Sequence, residues 1–118
     1  MGEKIRRLPS EILPIKGLKE FRHRSRSCVY FLIKDSVVVY VGMTRHLPAR
    51  IVSHHQYGKK FDRVAYLECA ESNKATIERA LIRHLRPQLN GTRIGSLCPA
   101  DEKMLEIIGI KNFTTARF

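Results

Sequence analysis

The stretch CVYFLIKDSVVVYVGMTRHLPARIVSH, residues 28–54, contains two apolar runs separated by a polar tripeptide. Residues 28–33 and 37–41 are rich in Val, Ile, Phe and Tyr, the residue types that favour β-strands. The Lys-Asp-Ser sequence at residues 34–36 is typical of a turn. The stretch therefore predicts a β-hairpin whose second strand ends at Gly42.

Each strand of this hairpin carries one tyrosine, Tyr30 or Tyr40. Because their positions differ by an even number, an odd loop centred on Asp35 would place them directly opposite each other on one face of the sheet. A two-residue loop of Asp35 and Ser36 would place them on opposite faces unless one strand contains a bulge. A site shared by the two tyrosines requires the same face.

A helix is predicted directly after the hairpin, because Pro48 suits the first turn of a helix. Arg50 and His54 lie four residues apart on this helix, so they share one of its faces. Residues 56–60 follow as a loop. Residues 61–69 then alternate as a third, half-buried strand does.

The second half of the chain predicts two further helices. Residues 74–85 form a helix that is capped by residues 71–73, and Glu78 lies beside its apolar stripe. The stripe consists of Ile77, Leu81 and Leu85. The last helix opens near Pro99 and stops near Gly109. Its core-facing residues are Met104, Leu105 and Ile108.

The first 27 residues resemble an extension that contains short helical segments at 10–13 and 18–22. A basic cluster closes it, and its members are Arg22, His23, Arg24 and Arg26. Such a cluster is either a solvated linker or an edge that contacts phosphates. Both interpretations are kept.

The charge of the chain indicates a polyanionic partner. Its 118 residues suit one domain, and 22 Lys and Arg against 11 Asp and Glu leave a net charge of +11. Nucleic acid is the first expectation and an anionic membrane surface the second, although no apolar run approaches the roughly 20 residues that span a bilayer. The expected phosphate contacts are Arg22, Arg24, Arg26, Lys59 and Lys60.

Compartment and cysteine chemistry follow from other features of the sequence. The amino terminus lacks the apolar core of a signal peptide. The chain has three cysteines and no CxxC spacing, so neither a disulfide framework nor a thiolate zinc site is expected. A reducing cytoplasm is the expected location.

Taken together, the tripeptides at 28–30 and 40–42, Cys-Val-Tyr and Tyr-Val-Gly, resemble the paired signature of the GIY-YIG nuclease family. The likeness extends over roughly residues 26–90 and includes Arg50, His54, Glu78 and Asn90 in the family's order. The chain departs from the family at Cys28, where the family usually has Gly, and both middle positions carry Val in place of Ile.

The resemblance implies an α/β fold of the α+β type, with a three-stranded antiparallel sheet flanked by helices. It divides the chain into a basic extension at 1–27, a nuclease-like core at 28–91, and a helical segment at 92–118 that packs on the same domain.

The resemblance also implies metal-assisted hydrolysis of phosphodiester bonds in duplex or branched DNA. Glu78 would hold one Mg²⁺ or Mn²⁺ ion, and Arg50 would support the phosphate. Tyr30 would act as general base on the attacking water. Tyr40 and His54 would orient groups or transfer protons. Asn90 would position other residues of the site without contacting the substrate.

Two functions from different classes follow. The first is a small DNA endonuclease, and the second is a nucleic-acid-binding module of the same fold that cleaves weakly or not at all. The sequence leaves open the substrate's structure, DNA against RNA, and the oligomeric state.

Overall fold

The computed structural model describes residues 8–20 and 27–110, and these form an α+β fold. Its sheet is antiparallel and contains the strands β1 (Leu18–Glu20), β2 (Cys28–Lys34), β3 (Val37–Thr44) and β4 (Arg63–Glu68). The strand order is β1-β4-β2-β3. The helices are α1 (Leu47–Gln56), α2 (Glu71–Leu85) and α3 (Pro99–Ile108), with a short 3-10 helix at Gln88–Asn90.

The predicted hairpin is present as β2 and β3, and its loop contains two residues. Asp35 and Ser36 have φ angles of 52° and 64°, as in the type I′ turns that match the twist of paired strands. Lys34 pairs with Val37 across this turn. The loop is therefore the two-residue alternative and not the odd loop centred on Asp35.

A bulge in β3 nevertheless brings the tyrosines to one face. The register shifts so that Leu32 pairs with Tyr40, while Val39 is the extra residue. Tyr30 pairs with Gly42 and not with Tyr40. The two tyrosines are thus diagonal neighbours on the same face, so the prediction of one face is confirmed and that of direct opposition is wrong.

The second strand continues past Gly42 to Thr44, so the prediction that Gly42 ends the strand was wrong. Gly42 lies opposite Tyr30 in the middle of the paired region. A glycine inside a strand often marks a close approach of another group. Here that group is the ring of Tyr30.

The sheet has four strands in the described residues, which corrects the predicted three-stranded sheet. Residues 18–20, expected to be helical, form β1 and pair with β4 from Leu18 opposite Leu67 to Glu20 opposite Ala65. Arg63 also holds Glu20 through two hydrogen bonds of 2.9 and 3.1 Å. The open edge of β4 offered unpaired backbone groups. Hydrogen bonds to these groups outweigh the local helix propensity of residues 18–20.

The two faces of the sheet are covered by different elements. On one face α2, α3 and the segment before β1 enclose the larger core, which includes Ile12, Phe31, Ile77, Leu81 and Leu105. On the other face α1 covers a smaller cluster, which includes Cys28, Tyr30, Leu32, Leu47 and Tyr66. Strand β2 is central and buried on both faces.

Helix α2 begins earlier than predicted and without the expected caps. It starts at Glu71 after Ala70, whose methyl side chain cannot accept a capping hydrogen bond, so residues 71–73 lie inside the helix. Glu71 instead accepts hydrogen bonds from Ser27, Arg45 and Lys74. These bonds lower the pKa of Glu71 to about 2, and the bond from Ser27 has the largest effect.

Helix α3 starts at Pro99 and stops before Gly109, as predicted. Its Leu105 and Ile108 are buried, and it packs on α2. The fully buried Asp101 bonds Arg83 of α2 at 3.0 Å and lies 3.6 Å from Arg79. The described part of segment 92–118 is thereby joined to α2 by both apolar and ionic contacts.

All three cysteines are free thiols. None of the helices in the described ranges is both long and apolar enough to span a bilayer.

Candidate functional site

Tyr30 and His54 are joined by a short hydrogen bond between β2 and α1. The Tyr30 hydroxyl lies 2.6 Å from His54 Nε2, and both side chains are buried. The pKa of His54 is lowered to about 4, mainly by burial and to a smaller extent by the positive charge of Lys59. His54 is therefore neutral at physiological pH. Its Nε2 accepts from the Tyr30 hydroxyl in the tautomer that carries its proton on Nδ1.

Tyr40 completes an aromatic cluster on this face. Its ring centroid lies 6.1 Å from that of Tyr30 and 4.8 Å from that of His54, in an edge-on arrangement. The Nζ atom of Lys59 lies over the Tyr40 ring, 5.2 Å from its centroid. Tyr40 is half-buried, so it connects the buried pair with the surface.

Arg50 lies one helical turn before His54 and supplies the positive charge of this cluster. A hydrogen bond with the Tyr30 hydroxyl raises the pKa of Arg50, which remains a cation. Burial raises the pKa of Tyr30 to about 12, and the bond with Arg50 opposes that rise. The hydroxyl is protonated at neutral pH, but its anion would form beside a guanidinium.

Gly42 makes room for the Tyr30 ring. A Cβ atom at this position would lie 2.6 Å from both Cζ and the hydroxyl oxygen of Tyr30. Any other residue would displace the ring, because such short distances are well inside van der Waals contact. This role of Gly42 was not predicted from the sequence, although an isolated glycine within a strand pattern was the available signal.

Asn90 binds backbone and contacts no catalytic candidate through its amide. Its Oδ1 accepts from the Val41 amide at 2.8 Å, and its Nδ2 donates to the Val41 carbonyl at 2.9 Å. Val41 lies between Tyr40 and Gly42 on the edge strand β3. Asn90 therefore acts in this structure as a pairing partner for the strand that carries Tyr40.

Cys28 is fully buried in the cluster that α1 covers. Burial is the largest cause that raises the pKa of its thiol, to about 12. The side chain that departs from the family pattern is therefore accommodated as a small apolar group.

No hydrogen bond or ion pair in the described residues joins Glu78 to this cluster. It lies on α2, whose Ile77 and Leu81 pack on the opposite face of the sheet. Within residues 8–20 and 27–110 its carboxylate has no hydrogen bond or ion pair, and none joins it to Tyr30, Arg50 or His54. Hydrogen bonds, ring contacts and charge interactions join four of the six candidates, Tyr30, Tyr40, Arg50 and His54.

The chemistry of Glu78 fits a divalent cation that keeps most of its water ligands. Burial raises the pKa of this half-buried carboxyl group, an effect that a nearby cation would oppose. In the part of the chain described, no three His, Cys, Asp or Glu side chains lie close enough to hold a metal ion. A lone carboxylate is the protein ligand that Mg²⁺ commonly accepts when phosphate and water supply the others.

The predicted phosphate contacts divide into two sets. Arg22, Arg24 and Arg26 lie outside the described residues. Lys59 and Lys60 line an open cavity of about 470 Å³, which we call the lysine cavity. Its other walls include Lys34, Tyr57, Gln88 and Leu89.

Comparisons of this chain with protein-family models, with curated proteins and with solved structures found no match in any of the three.

Proposed function

We propose that this protein is a divalent-metal-dependent endonuclease that hydrolyses phosphodiester bonds in DNA, in the manner that its resemblance to the GIY-YIG nucleases implies. The observation that carries the proposal is the 2.6 Å bond between Tyr30 and His54 beside the cationic Arg50. A buried hydroxyl with a neutral imidazole and a guanidinium at the same oxygen is suited to proton transfer.

The proton path runs through residues of this cluster. As Tyr30 transfers its proton to the unprotonated Nε2 of His54, the Tyr30 oxygen takes a proton from an attacking water molecule. The water oxygen forms the new bond to phosphorus while the bond from phosphorus to the leaving oxygen breaks, and a solvent water protonates that leaving oxygen. Arg50 stabilises the negative charge that passes through the Tyr30 oxygen, and its planar fork can also hold two oxygens of the phosphate. Tyr40 packs against His54 and holds the imidazole in place.

Glu78 would hold the Mg²⁺ or Mn²⁺ ion. Such an ion supplies positive charge for the phosphate oxygens, on which negative charge accumulates in the transition state. The resemblance assigns Glu78 to this role, and its half-buried carboxylate without a described partner is consistent with it.

The test is single-turnover cleavage of supercoiled plasmid and of labelled oligonucleotides with Mg²⁺, Mn²⁺ or EDTA. Tyr30→Phe keeps the ring and removes the hydroxyl, so the rate should fall by roughly 10²- to 10⁴-fold. Glu78→Ala should abolish metal-stimulated cleavage while DNA affinity in Ca²⁺ holds or rises, because a negative charge near DNA is removed. Glu106→Ala removes an exposed carboxylate from α3 and serves as the control.

The second candidate is a DNA-binding module of the same fold. The observation in its favour is that no bond joins Glu78 to the tyrosine cluster within the described residues. It predicts no metal-stimulated cleavage by the parent protein and effects of Arg50→Lys on affinity alone. Equal cleavage by the parent and by Glu78→Ala would reject the endonuclease.

A further inference from the structure

Two lysines of the lysine cavity carry positive charge that no carboxylate among the described residues neutralises. Lys34 lies 3.9 Å from Asp35, but neither Lys59 nor Lys60 has an ion-pair partner within residues 8–20 and 27–110. Uncompensated ammonium groups around a concave surface attract an anion, and phosphate is the anion that the proposed function provides.

The cavity also exposes an aromatic face. Tyr57 is 80% exposed, and Leu89, which also lines the cavity, is 37% exposed. An exposed tyrosine beside lysines combines a stacking surface with phosphate contacts, which is the pairing that single-stranded nucleic acid requires. In a continuous duplex the neighbouring base pairs cover the face of each base, so Tyr57 could not stack there.

The size of the cavity points to the same ligand. Its volume of about 470 Å³ lies in the range of pockets for small molecules. A single nucleotide is such a ligand, whereas a double helix is not.

The cavity adjoins the proposed active site. Lys59 lines it and also lies with Nζ 5.2 Å from the ring centroid of Tyr40. Val39, the bulge residue next to Tyr40 in β3, lines it as well. A strand that enters the cavity would therefore continue onto Tyr40.

We propose that the lysine cavity binds one unpaired nucleotide, with its base on Tyr57 and its phosphate on Lys59 and Lys60. The preferred substrate is then DNA with a single-stranded segment next to the cleaved bond, such as a flap or a fork. This inference rests on the proposed function, because the proposed function supplies the cleaved phosphate next to the bound nucleotide. Binding of the nucleotide in the cavity does not itself require cleavage.

Binding is tested in EDTA, so that no cleavage occurs. The chain contains no tryptophan, so Tyr57→Trp introduces a single fluorescent reporter into the cavity. Its emission should be quenched by a single-stranded oligothymidylate and much less by a duplex of equal length. Val52→Trp is the matched control, because Val52 is 56% exposed on α1 and does not line the cavity.

Affinity provides the second measurement. Tyr57→Ala should weaken binding of the single strand by about 5- to 100-fold, while Tyr57→Phe should retain it. The double change Lys59→Gln and Lys60→Gln should lower the salt slope by about 0.7 for each single-strand phosphate that the two lysines bind. The double change Lys16→Gln and Lys103→Gln is the charge control, since both residues are exposed and neither lines the cavity.

The two proposals fail in different ways. Quenching of Tyr57→Trp by single strands, with no cleavage by the parent, would reject the nuclease and keep the nucleotide site. Cleavage by the parent would support the nuclease whatever the cavity binds. The nucleotide site would be rejected if the emission of Tyr57→Trp and Val52→Trp responded equally to single strands. It would also be rejected if Tyr57→Ala weakened duplex and single-strand binding to the same degree.

Discussion

Tyr30 is the residue on which the proposed site depends, because three different groups determine where its ring and hydroxyl lie. His54 Nε2 bonds the hydroxyl at 2.6 Å, Arg50 lies beside the same oxygen, and Gly42 leaves space under the ring. The ring is fully buried, so a displaced position would require its neighbours to move.

Gly42→Ala should destabilise the fold by about 1–3 kcal/mol, because the new Cβ overlaps the Tyr30 ring. It should also reduce cleavage, since the ring cannot move without lengthening the bond to His54. Urea unfolding of a double-mutant cycle checks the cause. In a Tyr30→Leu background the added cost of Gly42→Ala should largely disappear, and an undiminished cost would show that the clash lies elsewhere.

His54 should make stability fall as the solution becomes acidic. Its pKa is lowered from 6.5 to about 4 in the folded protein, so the unfolded chain binds more protons between these values. The contribution of neutral His54 is complete above pH 6.5 and is lost as pH falls towards 4. Its size is on the order of 3 kcal/mol.

The measurement is the unfolding free energy of the parent and of His54→Gln from pH 7 to pH 4.5. The variant should show a much flatter dependence in this window. His46→Gln, at an exposed position before α1, should leave the slope of the parent in place. The same slope for His54→Gln and the parent would contradict a neutral, buried His54.

At the scale of elements, β3 is held at the edge of the sheet by a side chain from outside it. Asn90 forms hydrogen bonds with both the amide and the carbonyl group of Val41. Within the described residues no further strand pairs with this edge of β3. An edge strand that carries Tyr40 is thereby kept in position by the short 3-10 helix.

Asn90→Ala should cost about 1–3 kcal/mol, because it removes two hydrogen bonds to the main chain. Asn90→Asp should cost a comparable amount, since a carboxylate can accept from the Val41 amide but cannot donate to the Val41 carbonyl. Hydrogen exchange at the Val41 amide should quicken in the Ala variant. Thr92→Ala, at an exposed position nearby, should match the parent, and unchanged exchange in Asn90→Ala would rule out this role.

The junction of α2 and α3 depends on one buried carboxylate. Burial opposes the charge of Asp101, but hydrogen bonds from Arg83 and Cys98 outweigh it and lower its pKa. Asp101→Ala should therefore destabilise the protein by about 3 kcal/mol or more, because it removes a paired charge and a capping-box member.

Chemical unfolding at pH 7 measures this cost. The destabilisation should shrink as pH falls below about 4, since Asp101 contributes only while it is ionised. Glu102→Ala, on the exposed side of the same helical turn, is the control. Equal stability of the parent and Asp101→Ala at pH 7 would contradict the ionic junction.

At the scale of the whole molecule, the net charge of +11 should make DNA binding strongly dependent on salt. Replacing Arg22, Arg24 and Arg26 with Gln should lower the slope of log K against log salt by about 0.9 for each duplex phosphate that they contact. Titrations at several salt concentrations measure the slope.

A second triple variant separates contact from general charge. Lys16, Arg93 and Lys103 are exposed and carry the same total charge, so replacing them with Gln changes the net charge equally. A smaller change of slope in this control would locate the contacts in the basic cluster. Equal changes in both variants would show that only the overall charge matters.

Local patterns in the sequence were sufficient for the hairpin, the helix after Pro48, the end of α2 and the bounds of α3. Each depends on residues close together in the chain: β-branched runs around a short polar turn, proline in a first turn, or glycine after a last one. The face that Arg50 and His54 share follows from the same short-range rules, whereas the α+β class was expected from the resemblance.

Contacts between distant residues decided the rest. The bulge at Val39 puts Tyr40 on the face of Tyr30, and β1 adds a fourth strand because the edge of β4 was free. The amide of Asn90 pairs with Val41, 49 residues away, and Gly42 serves a ring that lies 12 positions earlier. Such pairings depend on which backbone groups and which volumes remain unfilled after the chain has folded, and a local signal such as an isolated glycine in a strand does not specify which distant group fills the space.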